Sequence, residues 1–332
     1  MSFQGQTAAI FGCAGSRLGP TEAAFFAESQ PFGFILFSRN VEGPDQLRRL
    51  CDDLRAAVGR EAPIFTDQEG GRVQRLRGAP WRDWPAPLDF VNRAGKNAAR
   101  AMELRARLIS RSLRAVGING NCSPVGDLAR ARTHAFLKNR CYGSTPDRVA
   151  EIGLALARGQ MAEGVWPVMK HLPGHGRAVL DSHLELPKTS ASRKTLSAED
   201  FAPFRAMAHL PFAMTAHMVY SAFDTAPATL SDVLIEAIRK DIGFQGVLVT
   251  DDLNMRALGG TLAGRAARAL AAGCDLALHC NGALFEMEAI ATAAGAIRPD
   301  SAERMARVLV PLPDTPAIDT AALEAELEAL TA

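Results

Sequence analysis

Acid–base chemistry is densest in fourteen residues, Lys170-His-Leu-Pro-Gly-His-Gly-Arg-Ala-Val-Leu-Asp-Ser-His183. They hold three of the seven histidines (His171, His175, His183) and one carboxylate, Asp181. An imidazole, with an ordinary pKa near about 6.5, takes and returns a proton at neutral pH. A carboxylate two residues away can accept from one ring nitrogen, fix the tautomer and stabilise the imidazolium. A second concentration is Thr250-Asp-Asp-Leu-Asn-Met255, where Asp251 and Asp252 follow an apolar run directly. Carboxylates in such a place are costly unless paired or used. Adjacent aspartates allow one for chemistry and one to orient the loop or cap a helix. A third is Asp67-Gln-Glu-Gly-Gly-Arg-Val-Gln-Arg75. Asp67 can accept from two hydroxyls at once, while Arg75, Arg140 and Lys170 donate in fixed directions, a set suited to a polyhydroxylated ligand. Arg72, Arg77 and Arg82 read as solvated charges.

These groups need a scaffold that delivers them to one place. Short apolar runs at 7–11, 33–37, 63–66, 118–122, 167–170, 211–215, 246–250 and 275–279 read as strands. Helical patterns lie between them. Residues 44–58 put Leu47, Leu50 and Leu54 on one face, and 97–115 is amphipathic through Leu104 and Leu108. Thr145-Pro146-Asp147 starts a helix that Gly164 ends, and Ser197-x-x-Asp200 reads as a capping box opening the next. Residues 231–241 and 261–272 precede further strands. Strict alternation of strand and helix predicts a parallel sheet closed into a (β/α)8 barrel of the TIM type, with the chemistry at the strands' C-terminal ends. Lys170 and His171, Asp67, His217, Asp251, His279 and Cys280 all follow predicted strands. An open doubly wound sheet would call for a Gly-rich phosphate turn. Phe11-Gly-Cys-Ala-Gly15 lacks the GxGxxG spacing. The whole of 1–332 reads as one domain, with a tail helix over about 319–330 acting as a lid or brace. Pro173, Gly174 and Gly176 predict a loop that turns sharply and moves.

A net charge of +1 argues against a nucleic-acid surface, and no apolar run is long enough to span a membrane. The N-terminal segment lacks a basic start followed by a long apolar core, so no signal peptide is expected. The six cysteines are scattered without a CxxC pair, which predicts reduced, mostly buried thiols in a cytoplasmic protein. No metal and no cofactor are expected, because the histidines and aspartates fall at different strand ends without ligand spacing.

With the motifs at 67–75, 170–176, 181–183 and 250–255 in this order, the chain resembles glycoside hydrolase family 3 over about residues 33–281. The likeness is to its single-domain bacterial β-N-acetylglucosaminidases of peptidoglycan recycling. It implies a TIM-type barrel and a retaining double displacement, with Asp251 as nucleophile, His183 as acid/base and Asp181 as its dyad partner. Asp67, Arg75, Arg140, Lys170 and His171 match the positions that bind N-acetylglucosamine. The implied substrates are N-acetylglucosaminyl-anhydro-N-acetylmuramic acid and its muropeptides, cleaved in the cytoplasm by a monomer. Two features depart from the family pattern. Leu172 stands where an aromatic is usual, and Arg-Thr-His-Ala-Phe-Leu-Lys precedes Arg140 with Cys141-Tyr142 after it. The alternatives are a phosphorylase using inorganic phosphate as acceptor and a non-catalytic sugar-binding barrel.

Overall fold

The computed structural model describes all residues except 1–2, 4, 181–184, 256–257, 311–312 and 314–318. Eight strands form one parallel sheet: β1 (Thr7–Gly12), β2 (Pro31–Leu36), β3 (Ile64–Thr66), β4 (Gly120–Asn121), β5 (Trp166–Leu172), β6 (Phe212–Thr215), β7 (Val247–Val249) and β8 (Ala277–His279). Neighbours in sequence are neighbours in space from β1 to β7, and β8 pairs back on β1. A parallel bridge between Val249 and Leu276 closes the ring. Every predicted run overlaps its strand. Ile10, Ile35, Phe65, Val168, Met214, Val249 and Leu278 from seven strands, with Cys122 just past β4, meet inside the barrel and fill it. Nearer the N-terminal ends, the Phe212 ring packs on Phe65 (5.3 Å), Phe32 (6.2 Å) and Trp166 (6.2 Å). Gly120 lets the Phe65 ring lie directly on its backbone, where a Cβ would collide. Phe212→Ala is expected to cost about 3–5 kcal/mol in urea denaturation through the cavity it leaves.

The helices after these strands are α1 (Pro20–Ser29), α2 (Pro44–Val58), α3 (Ala98–Arg114), α4 (Pro146–Ala162), α5 (Ala202–Ala206), α6 (Asp232–Lys240), α7 (Leu262–Ala272) and α8 (Leu284–Ala294). Helix α2 buries Leu47, Leu50 and Leu54 as its periodicity predicts. Ser231 and Thr261 cap α6 and α7 by accepting from the amides of Leu234 (3.2 Å) and Gly264 (3.1 Å). The capping box expected at Ser197 is a correction. The cap is Ser192, which accepts from the Thr195 amide at 3.2 Å, and residues 196–200 continue as a wider turn. Asp200 is instead buried and takes Arg177 (2.8 Å) and Arg130 (3.2 Å).

Alternation is not strict. Between β3 and α3 the chain inserts an antiparallel hairpin, Gln68–Gly70 with Val73–Gln74, and a helix, Pro87–Ala94. Gly70 and Gly71 turn the hairpin at φ of 105° and 58°, so Arg75 comes back beside Asp67. After α8 come α9 (Pro299–Val308) and α10 (Thr320–Thr331). Helix α10 buries Leu323 and Leu327 and packs on α3, where Arg100 holds Glu326 at 2.7 Å. It lies on the flank of the barrel, against the outer helices. Among the described residues no helix is long and apolar enough to cross a membrane. All six cysteines are free, and all but Cys280 are buried.

Candidate functional site

The C-terminal ends of the strands surround a cavity of about 190 Å³. Asp67, Arg75, Arg140, Lys170, His171, His175 and Asp251 all line it. Asp67 is the residue after β3, Lys170 and His171 end β5, and Asp251 lies just past β7. The sequence places them 184 residues apart, from 67 to 251, and the barrel brings them to one mouth.

Paired charges set the electrostatics of the wall. Asp67 takes the Lys170 ammonium on Oδ1 (2.8 Å) and the Arg75 guanidinium on Oδ2 (2.7 Å). Glu69 takes Arg140 in a two-bond fork (2.9 and 2.7 Å) and Lys170 at 2.7 Å. Burial alone would raise both carboxyls. Lys170 and Arg75 outweigh it at Asp67, holding that group well below the usual carboxylate range. Arg140 and Lys170 bring Glu69 down to about 2. Burial would lower Lys170 and Arg140, but the same carboxylates raise both. The result is a network that stays ionised at neutral pH and can meet hydroxyls with charged donors and acceptors. Despite the divergent segment before it, Arg140 therefore sits in the cavity wall with a fixed fork. Arg72 corrects an expectation: it is not simply solvated but lines the cavity, its guanidinium 5.8 Å from the Phe136 ring centre and bonded to the Phe136 carbonyl.

Behind β5 stands Asp127, fully buried. It accepts from His171 Nδ1 (2.7 Å) and from the His175 amide (2.6 Å). The chain after β4 reaches this place because Val125 continues the pairing with Lys170. Burial would raise the Asp127 carboxyl, and His171 with its hydrogen bond holds it below the usual value. Holding Nδ1 fixes the His171 ring and leaves Nε2 as its other polar atom. The peptide bonds before His171 and Pro173 are cis. The glycines that follow are not a free hinge. Gly174 is packed on Asp200 and Gly176 on the Leu128 backbone, with no room for a Cβ at Gly176. Residues 171–176 are buried, and exposed chain begins at Val179.

The turn after β7 is stitched to β8. Thr250 Oγ1 accepts from the Leu278 amide (2.9 Å), and Asp252 Oδ1 accepts from the amides of Asn254 (3.1 Å) and Cys280 (3.2 Å). Asp251 Oδ1 accepts from the Asp252 amide at 2.8 Å. Asp252 thus orients the loop. His217, after β6, uses both ring nitrogens structurally: Nε2 donates to the Asp252 carbonyl (3.0 Å) and Nδ1 accepts from Thr229 (2.7 Å). Burial lowers its pKa, in keeping with a neutral ring. His279 is fully buried, 3.2 Å from Glu286 on α8, and does not line the cavity.

Burial raises the Asp252 carboxyl to about 6. Its folded pKa exceeds the unfolded one, so its contribution favours folding at low pH and is lost as pH rises through about 6. Asp252→Asn is accordingly expected to gain stability relative to wild type, by about 2 kcal/mol, between pH 4 and 7. Melting both proteins across that range checks it, and a difference independent of pH would refute the burial of a charge there.

Asp181 and His183 lie outside the described residues. Sequence reasoning missed Glu69 and Asp127 and gave His175 no role. Glu69 was inside the quoted motif. Asp127 lies beyond an irregular stretch after Asn121, the end of β4, so no strand-end signal marks it as Asp67 is marked directly after β3. Among the described residues, no three His, Cys, Asp or Glu side chains are grouped to hold a metal ion.

Comparison with known proteins agrees with this arrangement. The family described as glycosyl hydrolase family 3 N-terminal domain matches residues 17–309. A β-hexosaminidase of Alkalilimnicola ehrlichii is 39% identical over 280 residues, covering 82% of this chain and 80% of its own. One from Methylococcus capsulatus is 36% identical, covering 82% of each. The crystal structure of NagZ from Neisseria gonorrhoeae in complex with N-trifluoroacetyl-D-glucosamine superposes with a TM-score of 0.88 at 30% identity, covering 100% of both chains. With the barrel, the ordered motifs and these matches in agreement, the chain belongs to glycoside hydrolase family 3.

Proposed function

We propose that this protein is a β-N-acetylhexosaminidase that removes terminal β-linked N-acetylglucosamine with retention of configuration. In the first step the Asp251 carboxylate attacks the anomeric carbon while His183, assisted by Asp181, protonates the leaving oxygen. In the second, His183 takes a proton from water, which attacks the same carbon and releases Asp251. Most retaining glycosidases use two carboxyl groups about 5–5.5 Å apart. Here a histidine replaces the acid/base carboxyl. Asp67, Arg75, Arg140, Lys170 and His171 hold the sugar. The natural substrates in this reading are N-acetylglucosaminyl-anhydro-N-acetylmuramic acid and its muropeptides, met in the cytoplasm during cell-wall recycling, by a monomer needing no cofactor. The observation that carries the reading is that Asp251 shares one cavity with the ion-paired Asp67, Arg75, Arg140 and Lys170.

The test is a slow fluorinated N-acetylglucosaminide, which should trap a covalent sugar on the peptide containing Asp251. A label elsewhere, or none with an active enzyme, would reject the nucleophile. Product analysis in phosphate buffer should give free N-acetylglucosamine; the sugar 1-phosphate would identify a phosphorylase. Turnover should also persist after treatment with a chelator.

A further inference from the structure

His175 is 2% exposed, lines the cavity, and has no hydrogen-bond partner on either ring nitrogen among the described residues. Buried polar atoms are nearly always paired, and leaving one unpaired is costly. Looseness is not the reason. The His175 amide is held by Asp127 at 2.6 Å, Gly174 and Gly176 are packed on both sides, and Tyr220 donates to the Gly174 carbonyl at 2.8 Å. The ring meets His171 edge to face at 5.6 Å and Phe136 at 5.9 Å. A fixed imidazole with both ring nitrogens unpartnered among the described residues, on the wall of a ligand cavity beside an aromatic ring, is built for a ligand.

The remaining wall suggests which part of the ligand. Asp67, Arg75, Arg140 and Lys170 are charged and paired, and suit hydroxyls. A neutral amide carrying a methyl group fits a neutral donor–acceptor next to an apolar surface better than it fits an ion-pair network. We propose that His175 is a specificity-determining contact that hydrogen-bonds the acetamido group of the bound sugar, with Phe136 beside the methyl. This rests on the N-acetylhexosaminidase reading and assigns the group that distinguishes an N-acetylhexosamine from a plain hexose.

Calorimetric titration of the full-length protein with N-acetylglucosamine and with glucose tests it. His175→Phe keeps a ring and removes both nitrogens. Its affinity for N-acetylglucosamine should fall by about tenfold to a hundredfold, the range expected for one unpaired buried polar contact, while glucose binding changes less than about twofold. Should the phenyl ring not be accommodated, His175→Gln and His175→Asn place an amide near Nε2 and Nδ1 respectively. One of them should retain preference for the acetamido sugar, showing which nitrogen is used. Equal losses for both sugars, no loss at all, or a wild type that binds the two alike would overturn the proposal. Wild-type turnover of an aryl β-N-acetylglucosaminide separates the two failures. If turnover is intact and the losses are equal, the His175 assignment falls alone; if turnover is absent, the enzyme reading falls first.

Discussion

Asp251→Ala should lower turnover of an aryl β-N-acetylglucosaminide by at least about a thousandfold under the proposed mechanism, in which the covalent intermediate forms on that carboxylate. The melting temperature should stay close to wild type, because Asp251 is partly exposed at the mouth and the loop around it is held chiefly by Thr250 and Asp252. Added azide supplies the comparison that a merely damaged site would fail. A small anion can enter the space left by the carboxylate and attack the anomeric carbon from that side, giving the α-glycosyl azide. The His183→Ala variant should differ in kind. Loss of the proposed acid/base should slow both chemical steps, and an activated leaving group that needs no proton should recover the first step and leave the second slow. Wild-type turnover by Asp251→Ala, or azide rescue of His183→Ala alone with formation of the β-azide alone, has different meanings: the first rejects the nucleophile, whereas the second supports it by showing an intact covalent step.

The barrel was legible because parallel strands covered on both sides are spelled as continuous apolar runs, such as Val-Leu-Val at 247–249. The mouth was legible for a related reason: whatever follows such a run stands at the C-terminal end, which placed Asp67, Lys170, His171 and Asp251 correctly. Pairings across the chain were not. Asp127 lies 44 residues from His171, and Glu69 lies 71 from Arg140. Nothing local marks either carboxylate as a clamp. His217 follows a predicted strand just as the cavity residues do, yet its two bonds, to Thr229 and the Asp252 carbonyl, make it part of the loop's framework. The glycines at 174 and 176 suggest freedom of movement from sequence alone, whereas their surroundings demand closeness. Composition reveals where a side chain is missing, and the fold decides whether the gap admits motion or a neighbour's backbone.

Glu69→Gln should be the most damaging neutral, same-shape change in the ion-pair network that backs the cavity wall. Glutamine can still accept one bond from Arg140, but it removes the negative charge facing two buried cations, Arg140 and Lys170. Lys170 retains Asp67 at 2.8 Å, while Arg140 loses its fork and has no second carboxylate to bond among the described residues. Breaking a buried pair from one side costs about 3–5 kcal/mol because the partner charge stays behind. The depression of Glu69 from 4.5 to about 2 corresponds independently to about 3 kcal/mol. Since its folded pKa is the lower one, that stability is present in full above pH 4.5 and is lost as pH falls toward 2. Urea denaturation should therefore show a constant deficit for Glu69→Gln from neutral pH down to about 4.5, shrinking below it. If the ion-pair network also fixes the cations that hold the sugar, KM should rise alongside the stability loss. A variant as stable as wild type at pH 7 would mean that Arg140 and Lys170 are solvated where the structure buries them.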